Sequence, residues 1–206
     1  MNLQPIHGHT IDVDLLPESG WVLDVGCRDL IFAREILKLR GAMIVLAFDP
    51  APDVEVPDMP GVAFARTAVV GKDFSGPRYI VGQGEECRLL THPGVTGAPE
   101  VCCVPIASLV QGGENAVGAW LPIQYALVKL DCEGSEFDIL ENWPGPIAQQ
   151  ISVEFHDYMD PRRWNDRYFA DLFAGPLRDY RVLQHEATRV GPNATASHWD
   201  SLLVLR

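Results

Sequence analysis

No stretch of the 206 residues approaches the roughly 18 consecutive apolar side chains of a membrane-crossing helix, so no membrane span is expected. Positive charge is scarce: 16 Lys and Arg stand against 28 Asp and Glu, for a net charge of -12. Duplex nucleic acid is held through clustered basic side chains, so a surface of this sign repels it and no nucleic-acid partner is expected. Paired-cysteine signals are missing too. Cys27, Cys87, Cys102, Cys103 and Cys132 are odd in number and none has CxxC spacing, which fits a reduced, cytoplasmic protein with buried thiols. Cys102 and Cys103, being adjacent, are expected on opposite faces of a strand. The first ten residues hold no basic patch followed by an apolar run, so no secretory signal is expected. Without one, Asn193-Ala194-Thr195 reads as a polar loop and not as a used glycosylation site.

A hydrophobic fraction of 47% in a chain of this length suits one domain with one substantial core. We take residues 20–206 as that core and residues 1–19 as an N-terminal extension, with His7-Gly8-His9 a mobile terminus. Strand and helix signals alternate, which predicts an α/β fold with a mainly parallel sheet between helices. Strands are predicted at Val22 to Val25, Met43 to Phe48, Val62 to Val70, Glu100 to Ile106, Tyr125 to Leu130 and Gln150 to Phe155. Tyr180 to Gln184 and Ser201 to Leu205 close the sheet as an antiparallel pair. A hairpin or flap is predicted around Arg78 to Val81. Leu30, Ala33, Ile36 and Leu37 form a core-facing helical stripe behind Asp29, a capping residue. Two further helices are predicted, from Ser135 to Trp143 and from Trp164 to Ala174, the second burying Tyr168, Phe169, Leu172 and Phe173.

Two segments share one design. Tyr125 to Leu130 delivers Asp131 and Glu133 at its end, then Gly134 turns the chain into a helix. Trp21 to Val25 carries Asp24 and runs into Gly26, Cys27, Arg28 and Asp29. Open α/β sheets bind ligands at the carboxyl ends of their strands, so acids there serve a site. Asp49-Pro50 closes the second strand, where a carboxylate is suited to ribose hydroxyls. A dinucleotide fingerprint needs three glycines, and only Gly26 is present. Asp29 at a helix start also repels phosphate. These points disfavour a nicotinamide-dependent reductase. A cationic ligand with a ribose and no phosphate fits the acids, and S-adenosylmethionine is such a ligand.

With these residues in place, the chain resembles the FkbM family of S-adenosylmethionine-dependent methyltransferases. The resemblance lies in Val22-Leu23-Asp24-Val25-Gly26, in Ala47-Phe48-Asp49-Pro50, in the specific block Val128-Lys129-Leu130-Asp131-Cys132-Glu133-Gly134-Ser135-Glu136, and in Val153-Glu154-Phe155-His156. It implies the class I methyltransferase fold, a Rossmann-like three-layer sandwich around a mostly parallel seven-stranded sheet ordered 3-2-1-4-5-7-6, strand 7 antiparallel. It also implies methyl transfer to a hydroxyl oxygen of a small molecule, sugar or natural product. Three positions depart from the pattern. Leu30 stands where the family has a second glycine, and its side chain either presses on the cofactor's methionine end or points into the helix stripe. Asp49 replaces Glu, and Arg28 replaces a small polar residue.

The cofactor is expected against Asp24, Gly26, Cys27, Arg28, Asp49, Pro50 and Asp131. Asp24 holds the ammonium or caps a turn; Gly26 admits the cofactor or permits the turn. Asp131 and Glu133 share a face, and Lys129 on the same alternation can supply a cation. Glu133 and His156 are the candidate bases; Glu136 is read as a structural cap. Glu154, His156 and Asp157 are metal-ligating types, but three close ligands from one strand rarely give good geometry, so no metal is expected. If Leu30 fills the pocket, the chain is instead a catalytically inactive, methyltransferase-like binding module.

Overall fold

The computed structural model describes the chain outside residues 55–57, 73–76, 83–87, 91–96, 111–123, 157–164 and 190–196. Its centre is a seven-stranded sheet. The strands in chain order are β3 (Ser19–Val25), β4 (Ala42–Phe48), β5 (Val62–Ala65), β11 (Tyr125–Leu130), β12 (Ala148–His156), β13 (Tyr180–Arg189) and β14 (Ser197–Leu205). In space they run β13-β14-β12-β11-β3-β4-β5. β14 pairs antiparallel with both β12 and β13, and all other pairings in the sheet are parallel. This is the expected 3-2-1-4-5-7-6 order. The chain winds outward from β3 in one direction and from β11 in the other, so a crevice opens at the carboxyl ends of that central pair.

The central strands are apolar because they are covered on both sides. Every residue of β11 is buried. Alternate residues serve opposite faces. Val22, Val45 and Leu127 join one apolar cluster; Leu23, Leu46 and Val128 join the other. Helix α1 (Ile31–Leu39) covers the first face with Leu30, Ala33 and Ile36, all fully buried. The N-cap is Leu30, which makes no side-chain cap bond; Asp29, predicted to cap the helix, lies one position before it and accepts the Ile31 N–H at 2.9 Å in a local turn. Helices α2 (Glu136–Glu141) and α3 (Asp166–Ala174) cover the second face.

Helices alone do not complete the layers; α1, α2 and α3 are the α-helices among the described residues. A hairpin of β1 (Leu3–Ile6) and β2 (His9–Asp12) fills the rest of the α1 side. This overturns the mobile terminus predicted at His7-Gly8-His9. Ile6, Ile11, Val13 and Leu16 are buried there. The hairpin is also bolted to the sheet by buried polar bonds. Gln150 accepts the Asp12 N–H at 2.8 Å and donates to the Asp12 carbonyl at 3.1 Å. Asp200 Oδ2 accepts the Thr10 N–H and hydroxyl at 3.0 and 2.7 Å. Hydrogen bonds to a charged group contribute about 1.5–3 kcal/mol each.

Two predicted strands are split. Val62 to Val70 breaks at Arg66-Thr67, whose Arg66 guanidinium bonds the Ala51 and Val54 carbonyls. Beyond it β6 (Ala68–Val70) leaves the main sheet. Glu100 to Ile106 breaks at Cys102 into β9 (Glu100–Val101) and β10 (Cys103–Pro105). β10 pairs with β6, while β9 joins the predicted flap, β7 (Arg78–Val81) and β8 (Arg88–Leu90). Of the four side chains expected in the core from α3, only Leu172 is buried; Tyr168, Phe169 and Phe173 lie half-buried against it. Trp164, Asp157, Cys87 and the Asn193-Ala194-Thr195 segment lie outside the described residues. No described helix is long and apolar enough to cross a membrane.

Candidate functional site

A cavity of about 230 Å³ opens at the carboxyl ends of β3, β4, β11 and β12. Its wall is built from four strand ends, the hairpin turn, β6 and the β7–β8 flap, which contributes Ile80 and Leu89. Gly26, Arg28 and Asp29 follow β3; Asp49, Pro50 and Ala51 follow β4. Asp131, Cys132 and Glu133 follow β11, Glu154 and His156 come from β12, and His7 comes from the hairpin turn. Among the described non-glycine residues, positive φ occurs at His7 (46°), Arg28 (38°), Leu30 (59°) and Glu133 (52°). Three of the four line the cavity. Such conformations cost on the order of 1–3 kcal/mol and persist where surrounding contacts impose them.

On the β3–β4 side the backbone is tightly braced. Gly26 (φ 76°) presses on the other loop, so that a Cβ there would lie 1.6 Å from the Asp131 carbonyl oxygen. Close approach of two backbones is therefore what demands glycine. The Gly26 and Cys27 N–H groups both donate to the Phe48 carbonyl, at 2.8 and 3.2 Å. Asp49 accepts the Arg28 N–H at 3.0 Å on one oxygen and the Ala51 N–H at 2.8 Å on the other. Each carboxylate oxygen retains a lone pair for a further donor. The Arg28 guanidinium forms a two-point pair with Asp53, 2.9 Å at each bond, tying the loop after β4 to the cavity rim.

A buried ammonium joins the two sides. Lys129 Nζ donates to the Gly26 carbonyl at 2.6 Å and stands 3.3 Å from Asp24 and 3.4 Å from Asp131. Burial by itself depresses a lysine, but Asp24 and Asp131 outweigh it and hold Lys129 above its ordinary value. Burial by itself raises Asp131, but Lys129, His9 and His156 outweigh it and hold this carboxyl well below the usual carboxylate range. His9, fully buried, stands with Nε2 3.4 Å from Asp131 and Nδ1 3.2 Å from the Ser152 hydroxyl.

Beside it lies a second charged group. Glu136, the first residue of α2, is fully buried and accepts the Cys132 and Gly134 N–H groups at 2.6 and 2.8 Å. Its role is structural, but it braces the loop before α2 and is not a helix cap, the N-cap being Ser135; it also faces His156 Nδ1 at 3.0 Å. His156 Nε2 lies 3.6 Å from Glu133 and 3.8 Å from Asp131. Burial lowers a histidine, yet the Glu136 hydrogen bond and the three carboxylates raise His156 to about 9. His156 is therefore an imidazolium at neutral pH, with the Glu133 carboxyl group on its Nε2 side.

The cavity thus gathers Gly26, Arg28, Asp49, Pro50, Asp131, Glu133 and His156. Asp24 and Cys27 lie behind the wall. Asp24 is fully buried with its carboxylate against Lys129, and the Cys27 thiol is pushed up by burial and by Asp24 and Asp49. Leu30 lies fully buried in the apolar cluster with Phe32, Ala33 and Ile36, so its side chain points into the helix stripe and not into the cavity. His7 and His9 are the residues that sequence reasoning missed. The available signal was the run Ile6 to Val13, whose apolar side chains frame two histidines, but a histidine between polar neighbours is unremarkable without the partner strand.

No protein-family model matches the sequence, and no curated protein does. Among solved structures the chain is similar to a protein named as a hemolysin from Streptococcus thermophilus, at 10% identity and a TM-score of 0.49, covering 90% of this chain and 59% of that one. It is also similar to TrmK of M. capricolum bound to S-adenosyl-homocysteine (11% identity, TM-score 0.44, 94% and 66% covered). A third is the N-methyltransferase NodS of Bradyrhizobium japonicum (10%, 0.43, 90% and 85%). The chain spans less than two thirds of the length of the first two. Likeness at this level adds nothing to the strand order, which establishes the fold by itself.

Proposed function

We propose that the protein transfers a methyl group from S-adenosylmethionine to a hydroxyl oxygen of a small-molecule or carbohydrate acceptor. The observation that carries this reading is the cavity at the crevice between β3 and β11, walled by Asp49, Asp131 and Glu133 and lacking a glycine-rich phosphate loop. The resemblance of Val128 to Glu136 to the FkbM signature supports oxygen as the acceptor atom. The four described free thiols, Cys27, Cys102, Cys103 and Cys132, support a reducing compartment such as the cytoplasm.

The donor set fits the cofactor. Asp49, fixed by two backbone N–H groups, takes the ribose hydroxyls. Asp131 faces the ammonium of the methionine end, and Gly26, Arg28 and Pro50 shape the wall between them. Asp24 and Cys27 act from behind, Asp24 by holding Lys129. When bound, S-adenosylmethionine supplies an electrophilic methyl group on a sulfonium. The chain's own task is to align the acceptor oxygen with it; alignment contributes up to about 7–11 kcal/mol in well-oriented systems. Glu133 accepts the acceptor's hydroxyl proton, a contribution of roughly 10²–10⁴-fold. His156, already protonated, orients Glu133 and carries its charge.

Calorimetry with S-adenosylhomocysteine tests the reading. The wild-type chain binds it, and Asp49→Ala weakens binding at least tenfold, while Glu133→Gln slows turnover with little change in affinity. Absence of any binding by the wild-type chain refutes the proposal.

A further inference from the structure

The geometry points to the N-terminal hairpin as a working part of the ligand site: through His9 it positions the Asp131 carboxylate. His9 is fully buried and does not line the cavity. It acts through Asp131, which does, and so is a positioning residue. Under the methyl-transfer reading Asp131 receives the ammonium of the cofactor, so the effect on cofactor affinity rests on that reading. The contact between His9 and Asp131 does not.

The imidazole is held at both nitrogens. Nε2 lies 3.4 Å from Asp131 Oδ2, and Nδ1 lies 3.2 Å from the hydroxyl of the fully buried Ser152. A carboxylate only accepts, so Nε2 is the donor; in the neutral ring Nδ1 then accepts the Ser152 hydroxyl proton. Phe32 packs edge-on against the ring, with centroids 5.7 Å apart and planes at 77°. The same Asp131 oxygen faces Lys129 Nζ at 3.4 Å. That ammonium is a compact charge shared with Asp24 and the Gly26 carbonyl. It neutralises the site but gives little direction, whereas a ring fixed by Ser152 and Phe32 does. With Oδ2 taken up on the buried side, Oδ1 stands on the His156 side, 3.8 Å from Nε2. The Asp131 side chain is 28% exposed to the cavity that it lines.

The hairpin is what brings this donor to Asp131. His9 is the first residue of β2, and the residues after it are anchored far along the chain, Thr10 to Asp200 and Asp12 to Gln150. Gln150 and Ser152 are two apart on β12 and so share a face. That face receives Asp12 at Gln150 and His9 at Ser152. The anchors that dock the hairpin therefore continue, residue by residue, into the contact that orders Asp131.

The test is calorimetry with S-adenosylhomocysteine on the full chain, joined to a carbon-13 NMR titration of the Asp131 carboxyl group. His9→Phe keeps a ring in place and removes its donor. It is expected to weaken binding about tenfold or more and to move the Asp131 titration to higher pH, because a hydrogen bond to the charged form is lost. His9→Gln, whose amide can donate in the place of Nε2, is expected to restore most of the affinity. Thr10→Val loosens the hairpin without touching His9, and is expected to lower the melting temperature with affinity unchanged. Wild-type affinity in His9→Phe overturns the inference, as does His9→Gln binding no better than His9→Phe. An equal loss in Thr10→Val makes the effect one of stability and overturns it too. If thermal melts show that His9→Phe does not fold, Ser152→Ala, which frees the ring, takes its place, and unchanged affinity there overturns the inference. If the wild-type chain binds no S-adenosylhomocysteine, the methyl-transfer reading fails. The NMR titration then decides the positioning role by itself, and an unmoved Asp131 overturns it.

Discussion

The two strand-to-acid-to-helix units look alike in sequence, yet the structure uses them in opposite ways. In the β3 unit the acid is swallowed: Asp24 is the penultimate residue of its strand, fully buried against Lys129. In the β11 unit the acids lie past the strand end, and Asp131 and Glu133 open onto the cavity. Register decides the difference. Lys129 pairs with Asp24 and Leu130 with Val25, so Asp131 lies two positions beyond the level of Asp24. A carboxylate inside a parallel sheet must be neutralised, whereas one just beyond the sheet can face a ligand. The first unit therefore supplies its site residues from the loop, as backbone at Gly26 and Arg28, and from the next strand as Asp49.

The comparison breaks most severely at Gly26→Ala. The new Cβ would meet the Asp131 carbonyl at 1.6 Å, on a backbone already at φ 76°. Loss of more than about 4 kcal/mol in urea denaturation, or outright failure to fold, is expected. Lys129→Met comes next. It leaves the buried Asp24 without its cation, at a cost of about 3–5 kcal/mol, and adding Asp24→Asn is expected to recover part of that. If the double variant is no more stable than the single one, the coupling of the two units through Lys129 is wrong.

His156 sharpens the contrast by pH. Its folded-state value is raised to about 9, so its contribution is fully present below the ordinary histidine value near 6.5 and is lost as pH rises through 9. Stability measured from pH 6 to pH 10 is expected to fall in that window, by on the order of 3 kcal/mol, and His156→Gln is expected to flatten the fall. Leu30→Gly is the mildest test. It relieves a left-handed φ of 59°, worth roughly 1–2 kcal/mol, but removes a fully buried leucine worth about 2–5 kcal/mol. A net loss of about 1–3 kcal/mol is expected, with unchanged affinity for S-adenosylhomocysteine. A marked gain in affinity would place Leu30 in the pocket after all.

Much of the molecule was legible before folding. Tyr125–Leu130 is β11 to the residue, and the α1 stripe, the antiparallel closing pair and the flap all stand where the periodicities place them. Strand breaks at Arg66 and Cys102 were not, because a side-chain bond to a distant carbonyl or a change of partner sheet leaves no mark on local alternation. The hairpin was missed for a related reason: its stability comes from Gln150 and Asp200, well over a hundred positions away. On the site, the sequence named Asp49, Asp131, Glu133 and His156, which line the cavity, but also Asp24 and Cys27, which lie behind it, and it gave no sign that His156 would be protonated there.

What the sequence determined alone is the alternation of strands and helices, the acids at strand ends and the turn glycines Gly26 and Gly134 beside them, since these follow from local geometry and residue chemistry. Tertiary structure decided which acids see the cavity, which charge neutralises which, and that two histidines from the first ten residues belong to the site. Those outcomes depend on strand register and on burial, and both are properties of distant segments brought together.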